Sequence, residues 1–589
     1  MTFSGNIKSS ATSGRSLKAD TLVLLMLAAW WALNLLQAAF MDLANDEAYY
    51  WYFSKHLDWG YYDHPPMVAL LVWLTAWLPG TLGVRLASTL LQPLYLLLFW
   101  HLIKPADASR RDALLYVLIC FSQPLLQLYG FLALPDAPLL MTTVLFLWAY
   151  KRFSANVNVP SALLLGLTVA LMGYSKYHGA LVVFLVVLSN PKLLLRWQLY
   201  LAAAVALLLY APHLWWQYSH DWVSLRYHLV GRNADSYSIN YTLEYLATAL
   251  VVFNPLWLWH LIKGIRTGRL TDPFRRALFV LFAGFLLFFL VSTLRGSVQP
   301  QWILPVVFPV VAFVFHAARR VRYARVVGWV CLALFLAVRV VAVVNPFGFK
   351  GELWGQRDIY TAIAQVADGR PVQFMHTYTA PPKYTFYTGG EAYCAPYYFN
   401  RHSQWQYDTS DRAFTGREVV VGNFTNWQKN KILLPNGKPF YYSIFPDFHP
   451  LREVTIAAVE PIDARLPIFT STKGTDSLGA LHVSLAVTNP YPYDIYSTDS
   501  LPLRITIFFN EARYTAAGGS CPLTDTLRAG TTTLVDCDMR MGRPPVEGTM
   551  PSGFCLSRGS NPTDNSQRLP AIVTRSSDYV TITRPAEHE

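Results

Sequence analysis

Between residues 21 and 344 apolar positions come in long runs, and most charged residues fall in the gaps. Runs near the ~20-residue length of a helical membrane span occupy 21–40, 82–103, 113–131, 137–150, 161–175, 178–190, 198–213, 243–262, 277–294, 303–318 and 326–344. The pattern predicts a polytopic α-helical membrane domain over 1–345 with about eleven spans. Pro66 to Leu78 is apolar but short and ends at Pro79-Gly80, which predicts a helix lying at the membrane surface. After residue 345 the periodicity changes. Asp358 to Ala367 reads as an amphipathic helix among β-like runs such as 371–375 and 418–422, predicting a small α/β domain over 346–450. Within it, Thr377 to Tyr407 is rich in Tyr, Pro and Gly and carries Arg401, His402 and Trp405. It reads either as an ordinary aromatic loop or as one that covers an active face. From 451 to 589 the stretches 454–459, 481–487, 503–509, 531–535, 571–574 and 579–583 alternate with turn residues, which predicts a β-sandwich.

Charge placement orients these runs. The chain of 589 residues is 53% hydrophobic and 14% charged, with a net charge of +12. That charge sits in short clusters after every second run: Lys104, Arg110 and Arg111; Lys151 and Arg152; Lys192 and Arg196; Lys263 to Arg276; Arg319 to Arg325. The amino-terminal Lys8, Arg15 and Lys18 belong to the same set. Basic residues gather on the cytoplasmic side of membrane proteins. The expected arrangement is a multi-pass protein of a bacterial inner membrane, amino terminus cytoplasmic and carboxy-terminal domains periplasmic. The lipid bilayer accounts for the basic balance, so a nucleic-acid partner is excluded. The run 21–40 exceeds the 7–15-residue core of a signal peptide.

With this orientation the unusual polar residues share the outer face. They are Asp46, Glu47, Lys55, His56, Asp58, Asp63 and His64 in the first outer loop, with Tyr49 in the aromatic string after the pair, and Asp136 between Pro135 and Pro138. Lys176, Tyr177 and His178 break two short runs; Trp215, Trp216, His220, Asp221, Trp222, Arg226, His228 and Arg232 follow, then Gln301 and Trp302. Each has a plain alternative: tryptophans as an interfacial belt, arginines on lipid headgroups, Asp136 or Asp46-Glu47 as helix caps. A boundary carboxylate can serve as general base for an incoming hydroxyl. Lysine and arginines can hold a phosphate and stabilise charge on it as it leaves. Together they match sugar transfer from a lipid phosphate. No P-loop or well-placed Gly-rich dinucleotide fingerprint occurs. No cofactor is implied with certainty, although Asp63, His64 and His228 are of the residue types that bind a divalent metal. Two other readings stay open: an oligosaccharide ligase or polymerase using a diphosphate-linked glycan, and a transporter or flippase, which would place ionisable residues nearer the bilayer midplane. Cys521 and Cys537 are candidates for a disulfide in an oxidising compartment, with connectivity open.

The ordered series Asp46-Glu47, Asp63-His64-Pro65-Pro66, Pro135-Asp136-Ala137-Pro138, Gly173 to Gly179 and Trp215 to Trp222 resembles the bacterial branch of the protein O-mannosyltransferase superfamily, which includes the lipid A aminoarabinose transferases. The resemblance covers residues 20–345 and implies a GT-C fold. It also implies an inverting transferase that uses a polyprenyl-phosphate (undecaprenyl-phosphate) monosaccharide and an envelope acceptor such as lipid A, a surface glycan or a protein. Asp46 maps to the catalytic carboxylate, with Glu47 and Asp63 beside it. His64, Lys176, His178, Arg226 and Arg232 map to donor binding, and Tyr49, Asp136, Tyr177, Trp222, Gln301 and Trp302 line the substrate. His64 replaces a lysine of the family pattern, which shifts the phosphate-binding role toward Lys176 and Arg232.

Overall fold

The computed structural model describes residues 6–585 except 232–236, 268–269, 376, 396–401, 425–429, 471–475, 499–501, 512–513, 543, 559–566 and 577. The chain divides into two compact units, Met1–Trp354 and Gly355–Glu589.

The first unit is helical. Its helices are α1 (Asn6–Phe40), α2 (Asn45–Lys55), α3 (Met67–Thr75), α4 (Gly80–Ile103), α5 (Arg110–Phe121), α6 (Pro124–Tyr129), α7 (Asp136–Ala155) and α8 (Val159–Ser175). There follow α9 (Gly179–Leu188), α10 (Trp197–Ser219), α11 (Val223–Arg226), α12 (Ile239–Val252), α13 (Leu258–Thr267), α14 (Pro273–Ser292), α15 (Val307–Ala318) and α16 (Ala324–Val344). Among the described residues six helices are long and apolar enough to cross a membrane, and a pair bent by 68° over Ile239–Thr267 makes a seventh. The chain is thus a multi-pass membrane protein with six to seven candidate spans. The bend falls where Pro255 cannot donate a helical bond. Asn254 adopts a left-handed φ of 53° there. Its Nδ2 donates to the Ser122 carbonyl at 2.7 Å, and its Oδ1 accepts from Leu256 N at 3.2 Å. The freed backbone groups are thereby satisfied, as a low-dielectric setting demands.

The segment after the first loop is the nine-residue α3, which buries Val68, Ala69 and Val72 and exposes Leu70, Trp73 and Leu74. Deeper in the bundle a buried Arg339 braces α16: Nε reaches Gln127 Oε1 at 2.8 Å and Nη1 reaches Asn34 Oδ1 at 2.9 Å. Asn34 in turn donates to Gln92 Oε1 at 2.6 Å, so one polar network ties α1, α4, α6 and α16. Gly166 brings α8 against α10, since a Cβ there would lie 2.5 Å from the Ala202 carbonyl.

The second unit begins with α17 (Gln356–Ala367), which buries Ile359, Tyr360, Ile363 and Ala367 at helical spacing. Next come β1 (Val372–Met375), α18 (Ala380–Thr388), β2 (Ala392–Ala395), β3 (Arg417–Asn423), β4 (Asn430–Leu433) and β5 (Pro439–Phe448). They form a mixed sheet in the order β2-β1-β3-β5-β4, with β1 parallel to β2 and β3. The expected loop 377–407 therefore contains a helix and a strand. Trp405 is buried and donates Nε1 to the Tyr378 carbonyl at 2.8 Å, while Arg401 lies outside the described residues. The last part comprises β6 (Thr455–Ala458), β7 (Asp463–Thr470), β8 (Asp476–Leu478), β9 (Leu481–Thr488), β10 (Leu503–Glu511), β11 (Tyr514–Leu523), β12 (Thr532–Met541), β13 (Gly548–Arg558), β14 (Leu569–Arg575) and β15 (Tyr579–Thr583). These strands pair antiparallel in the order β6-β9-β12-β11-β10-β13-β14-β15-β7-β8. In place of the expected sandwich there is one connected sheet, curled into a half-barrel so that alternate residues of its strands meet in a single core.

Candidate functional site

Asp46 and Glu47 occupy the first turn of α2, where neighbouring residues point about 100° apart. Asp46 is exposed, and Glu47 is fully buried. Glu47 Oε1 accepts from Arg85 Nε (2.8 Å) and Ala133 N (2.8 Å), and Oε2 accepts from Arg85 Nη2 (2.6 Å) and Ala44 N (3.0 Å). No oxygen of Glu47 is left for a substrate. The remaining Arg85 protons go to the carbonyls of Ala38, Met41 and Asp42 at 2.6–3.0 Å. The buried Arg85–Glu47 pair therefore holds the end of α1, the following loop, the start of α2 and, through Glu47, the turn before α7. Asn45, beside Asp46, donates Nδ2 to Glu352 Oε1 at 2.7 Å.

The turn held by Ala133 leads to Asp136, the first residue of α7. Its side chain pairs with Lys176 at 2.7 Å, both groups being buried. Lys176 stands at the break between α8 and α9. The exposed Asp46 carboxylate is within electrostatic reach of both Asp136 and Tyr129.

A second network locks the loop 56–64 onto the carboxy-terminal end of α10. Asp58 Oδ2 accepts from Trp216 Nε1 at 2.8 Å, and His213 Nδ1 donates to the Trp59 carbonyl at 2.7 Å. That bond puts the proton on Nδ1, so neutral His213 accepts at Nε2 from the Tyr177 hydroxyl, 3.2 Å away. Gln217 Nε2 bonds both Tyr177 Oη (3.0 Å) and Ser224 Oγ (2.7 Å), and Ser224 donates to the Tyr61 carbonyl at 2.9 Å. Burial pushes the Tyr61 and Tyr177 phenols well up, which keeps both neutral and able to donate.

Other anticipated residues fall in different places. His228 Nε2 donates to the backbone carbonyl of Asp63 at 2.9 Å, and its ring lies 6.2 Å from that of His64 and 5.3 Å from that of Tyr177. Asp63 itself is buried near Tyr177. Among the described residues no group of three or more His, Cys, Asp and Glu is arranged to hold a metal, so Asp63 and His228 do not form a complete ligand set. His178 packs against Phe289 and Trp302, at ring distances of 5.6 and 5.7 Å. Tyr49 is buried against Phe53 instead of lining an open surface. Gln301 donates to Gln299 Oε1 at 2.8 Å. Arg226 ends α11 with an exposed side chain, and Arg232 lies outside the described residues. Trp222 follows Asp221 in a turn where both adopt left-handed φ near 55° and 53°, a strained geometry for residues with side chains.

Trp222, Tyr177, His213 and Gln217 border the polar end of a cleft of about 410 Å³ between α8, α9 and α10. Its body is apolar, lined by Val169, Ala170, Val183, Ala206 and Leu207. In the sequence Asp58 and Trp216 fall on the outer face, and Gln217 in a motif, with no role in the site given to them, and Arg85 is missed. For Arg85 a signal existed: it is the one Asp, Glu, Lys or Arg residue in the apolar run 82–103, where an ionisable group needs a partner.

Residues 63–216 match the family described as dolichyl-phosphate-mannose-protein mannosyltransferase. The lipid A galacturonosyltransferase RgtD of Rhizobium johnstonii is 27% identical over 259 residues, 41% of this chain and 54% of that protein. The lipopolysaccharide core galacturonosyltransferase RgtA of the same organism is 29% identical over 207 residues, 33% of this chain and 41% of that protein. The matched part thus spans about half the length of these relatives. ArnT from Cupriavidus metallidurans, bound to undecaprenyl phosphate, shares the fold with a TM-score of 0.52 at 13% identity, over 71% of this chain and 97% of that one. Its apo state gives 0.51 at 13% identity, over 68% and 92%.

Proposed function

We propose that this chain, a GT-C glycosyltransferase of the dolichyl-phosphate-mannose-protein mannosyltransferase family, moves one sugar from a polyprenyl phosphate to lipid A or the lipopolysaccharide core. The observation that carries this reading is the placement of Asp46: exposed, on a frame fixed by Glu47 and Arg85, within electrostatic reach of Asp136 in the Asp136–Lys176 pair. Asp46 takes the proton of the acceptor hydroxyl as that oxygen attacks the anomeric carbon. The bond from this carbon to the phosphate oxygen breaks on the opposite face, and the configuration inverts. Lys176 supplies positive charge to the departing phosphate, with exposed Arg226 as a further donor. Glu47 acts as a positioning residue. The apolar cleft suits the first isoprene units of the donor tail, with Tyr177 and Trp222 at the headgroup end.

The ArnT structure with undecaprenyl phosphate supports that lipid as the donor's carrier, and the two galacturonosyltransferases support a uronic acid as the sugar. On this reading all eleven apolar helical runs cross or re-enter the bilayer, the basic loops are cytoplasmic, and the second unit is periplasmic.

The test is transfer by the purified full chain in vesicles, supplied with radiolabelled undecaprenyl-phosphate galacturonic acid and lipid A or core acceptors. Release of undecaprenyl phosphate with label on the acceptor is expected, together with loss of turnover in Asp46→Asn at unchanged thermal stability. Label appearing only from a diphosphate-linked glycan would replace this reading by a ligase. A fully active Asp46→Asn removes Asp46 from the base role.

A further inference from the structure

The ten-stranded sheet has one weak seam. β11 and β12 are joined over two residue pairs, Gly519 with Met541 and Ser520 with Arg540. By contrast β12 and β9 pair over eight positions, and β10 and β11 over nine. Past Ser520 the two strands part, β11 staying with β10 and β12 running beside β9. Cys521 is the next residue of β11, buried in the common core. The alternation of β12 turns Cys537 into that core with Met539 and Met541. Cys521 and Cys537 thus enter one core from neighbouring strands, both as buried free thiols, and the Cys521 thiol donates to the Pro522 carbonyl at 3.5 Å. The other two cysteines of this unit lie elsewhere, Cys394 on β2 and Cys555 against Phe508 outside this core.

We infer that Cys521 and Cys537 are joined by a disulfide in the mature protein, a staple across the place where β11 and β12 separate. The inference rests on the periplasmic placement proposed above, because such bonds persist in oxidising compartments. The two thiols give up two protons and two electrons, an S–S bond forms, and a disulfide oxidant of the envelope is reduced to a dithiol. Burial, and then the neighbouring Cys521, push the Cys537 thiol up, so little thiolate exists once the sheet has closed. Oxidation therefore belongs to folding, before closure. The loop closed runs from 521 to 537, and its loss should lower the melting temperature of the second unit by roughly 5–10 °C.

The experiment uses the full chain in native membranes. Free thiols are alkylated in denaturant without reductant, the protein is digested, and the peptides are weighed. A Cys521–Cys537 linked pair that disappears on reduction is expected, with Cys394 and Cys555 alkylated. Cys521→Ser and Cys537→Ser should each melt earlier than wild type, and the difference should vanish under reductant. Protease treatment of spheroplasts reads the side of the tail separately. Alkylated Cys521 and Cys537 in a tail cleaved from outside overturns the disulfide alone. The same result in a protected tail overturns it together with the outward placement.

Discussion

Glu47→Gln distinguishes a positioning carboxylate from a catalytic one. Each Glu47 oxygen accepts from one Arg85 nitrogen and one backbone N–H, Ala133 at Oε1 and Ala44 at Oε2. Whichever way the amide of a glutamine turns, its NH₂ group meets two donors. The fully buried Arg85 is also left without a counter-charge. Breaking one side of a buried ion pair costs about 3–5 kcal/mol. The frame that sets Asp46 then relaxes, and a displacement of about 1 Å is enough for a loss of ~10²-fold in turnover. The assay pairs melting of the full chain in detergent with single-turnover transfer. The expected outcome is a melting point lowered by several degrees with turnover down about a hundredfold. The double variant Glu47→Gln/Arg85→Met should recover much of the stability but not the turnover, because the bonds from Arg85 to the Ala38, Met41 and Asp42 carbonyls are gone. Turnover abolished at wild-type melting temperature would return Glu47 to the chemistry. Wild-type values of both would show that the frame does not position Asp46.

Lys176→Gln leaves the Asp136 carboxylate buried without its cation, so the KM for the polyprenyl-phosphate donor should rise at least about tenfold, the scale of one lost charge-assisted bond; an unchanged KM in steady-state transfer contradicts the phosphate role. Gly60→Ala places a Cβ 2.5 Å from Trp216 Cε3 and should cost about 1–3 kcal/mol, read as a lower melting point; no change would mean that the first loop does not pack on α10. In the second unit, burial raises the Asp411 carboxyl to about 6 from 3.8, against the opposing pull of Arg452. The folded state therefore holds this proton more tightly than the unfolded chain. Its contribution is full below pH 3.8 and is lost as pH rises through about 6, an amount of about 3 kcal/mol. Asp411→Asn should be more stable relative to wild type at pH 7.5 than at pH 4.5; a difference that stays constant across that range, measured by hydrogen exchange of β3, refutes the linkage.

The helical runs were legible because each span carries its own signal: uninterrupted apolar length and a flanking charge. Each of the eleven runs contains helix, but among the described residues six to seven qualify as spans rather than eleven: the run 113–131 is split into α5 and α6 at Ser122-Gln123, α8 and α9 are short, and α12 is bent from α13 at Asn254-Pro255. The tail was less legible. β11 contains Gly518-Gly519, and β13 contains Pro551 and Gly553, residues that interrupt a strand pattern and read as turns. Nor does alternation along a strand say whether sheets face one another or one sheet curls, since both bury every second residue.

The sequence by itself determined the membrane character of the first 345 residues, the alternation of basic loops, and which acidic and basic residues sit at span boundaries. These follow from local transfer energies, which each segment carries regardless of its neighbours. Only tertiary structure separated Asp46 from Glu47, because adjacent residues of one helical turn face opposite environments and one of them meets Arg85 from a different helix. It likewise joined Asp136 to Lys176 across 40 positions and Asp58 to Trp216 across 158. A buried charge or indole N–H takes whatever partner the packing brings within 3 Å, and that choice is made by the fold rather than by spacing along the chain.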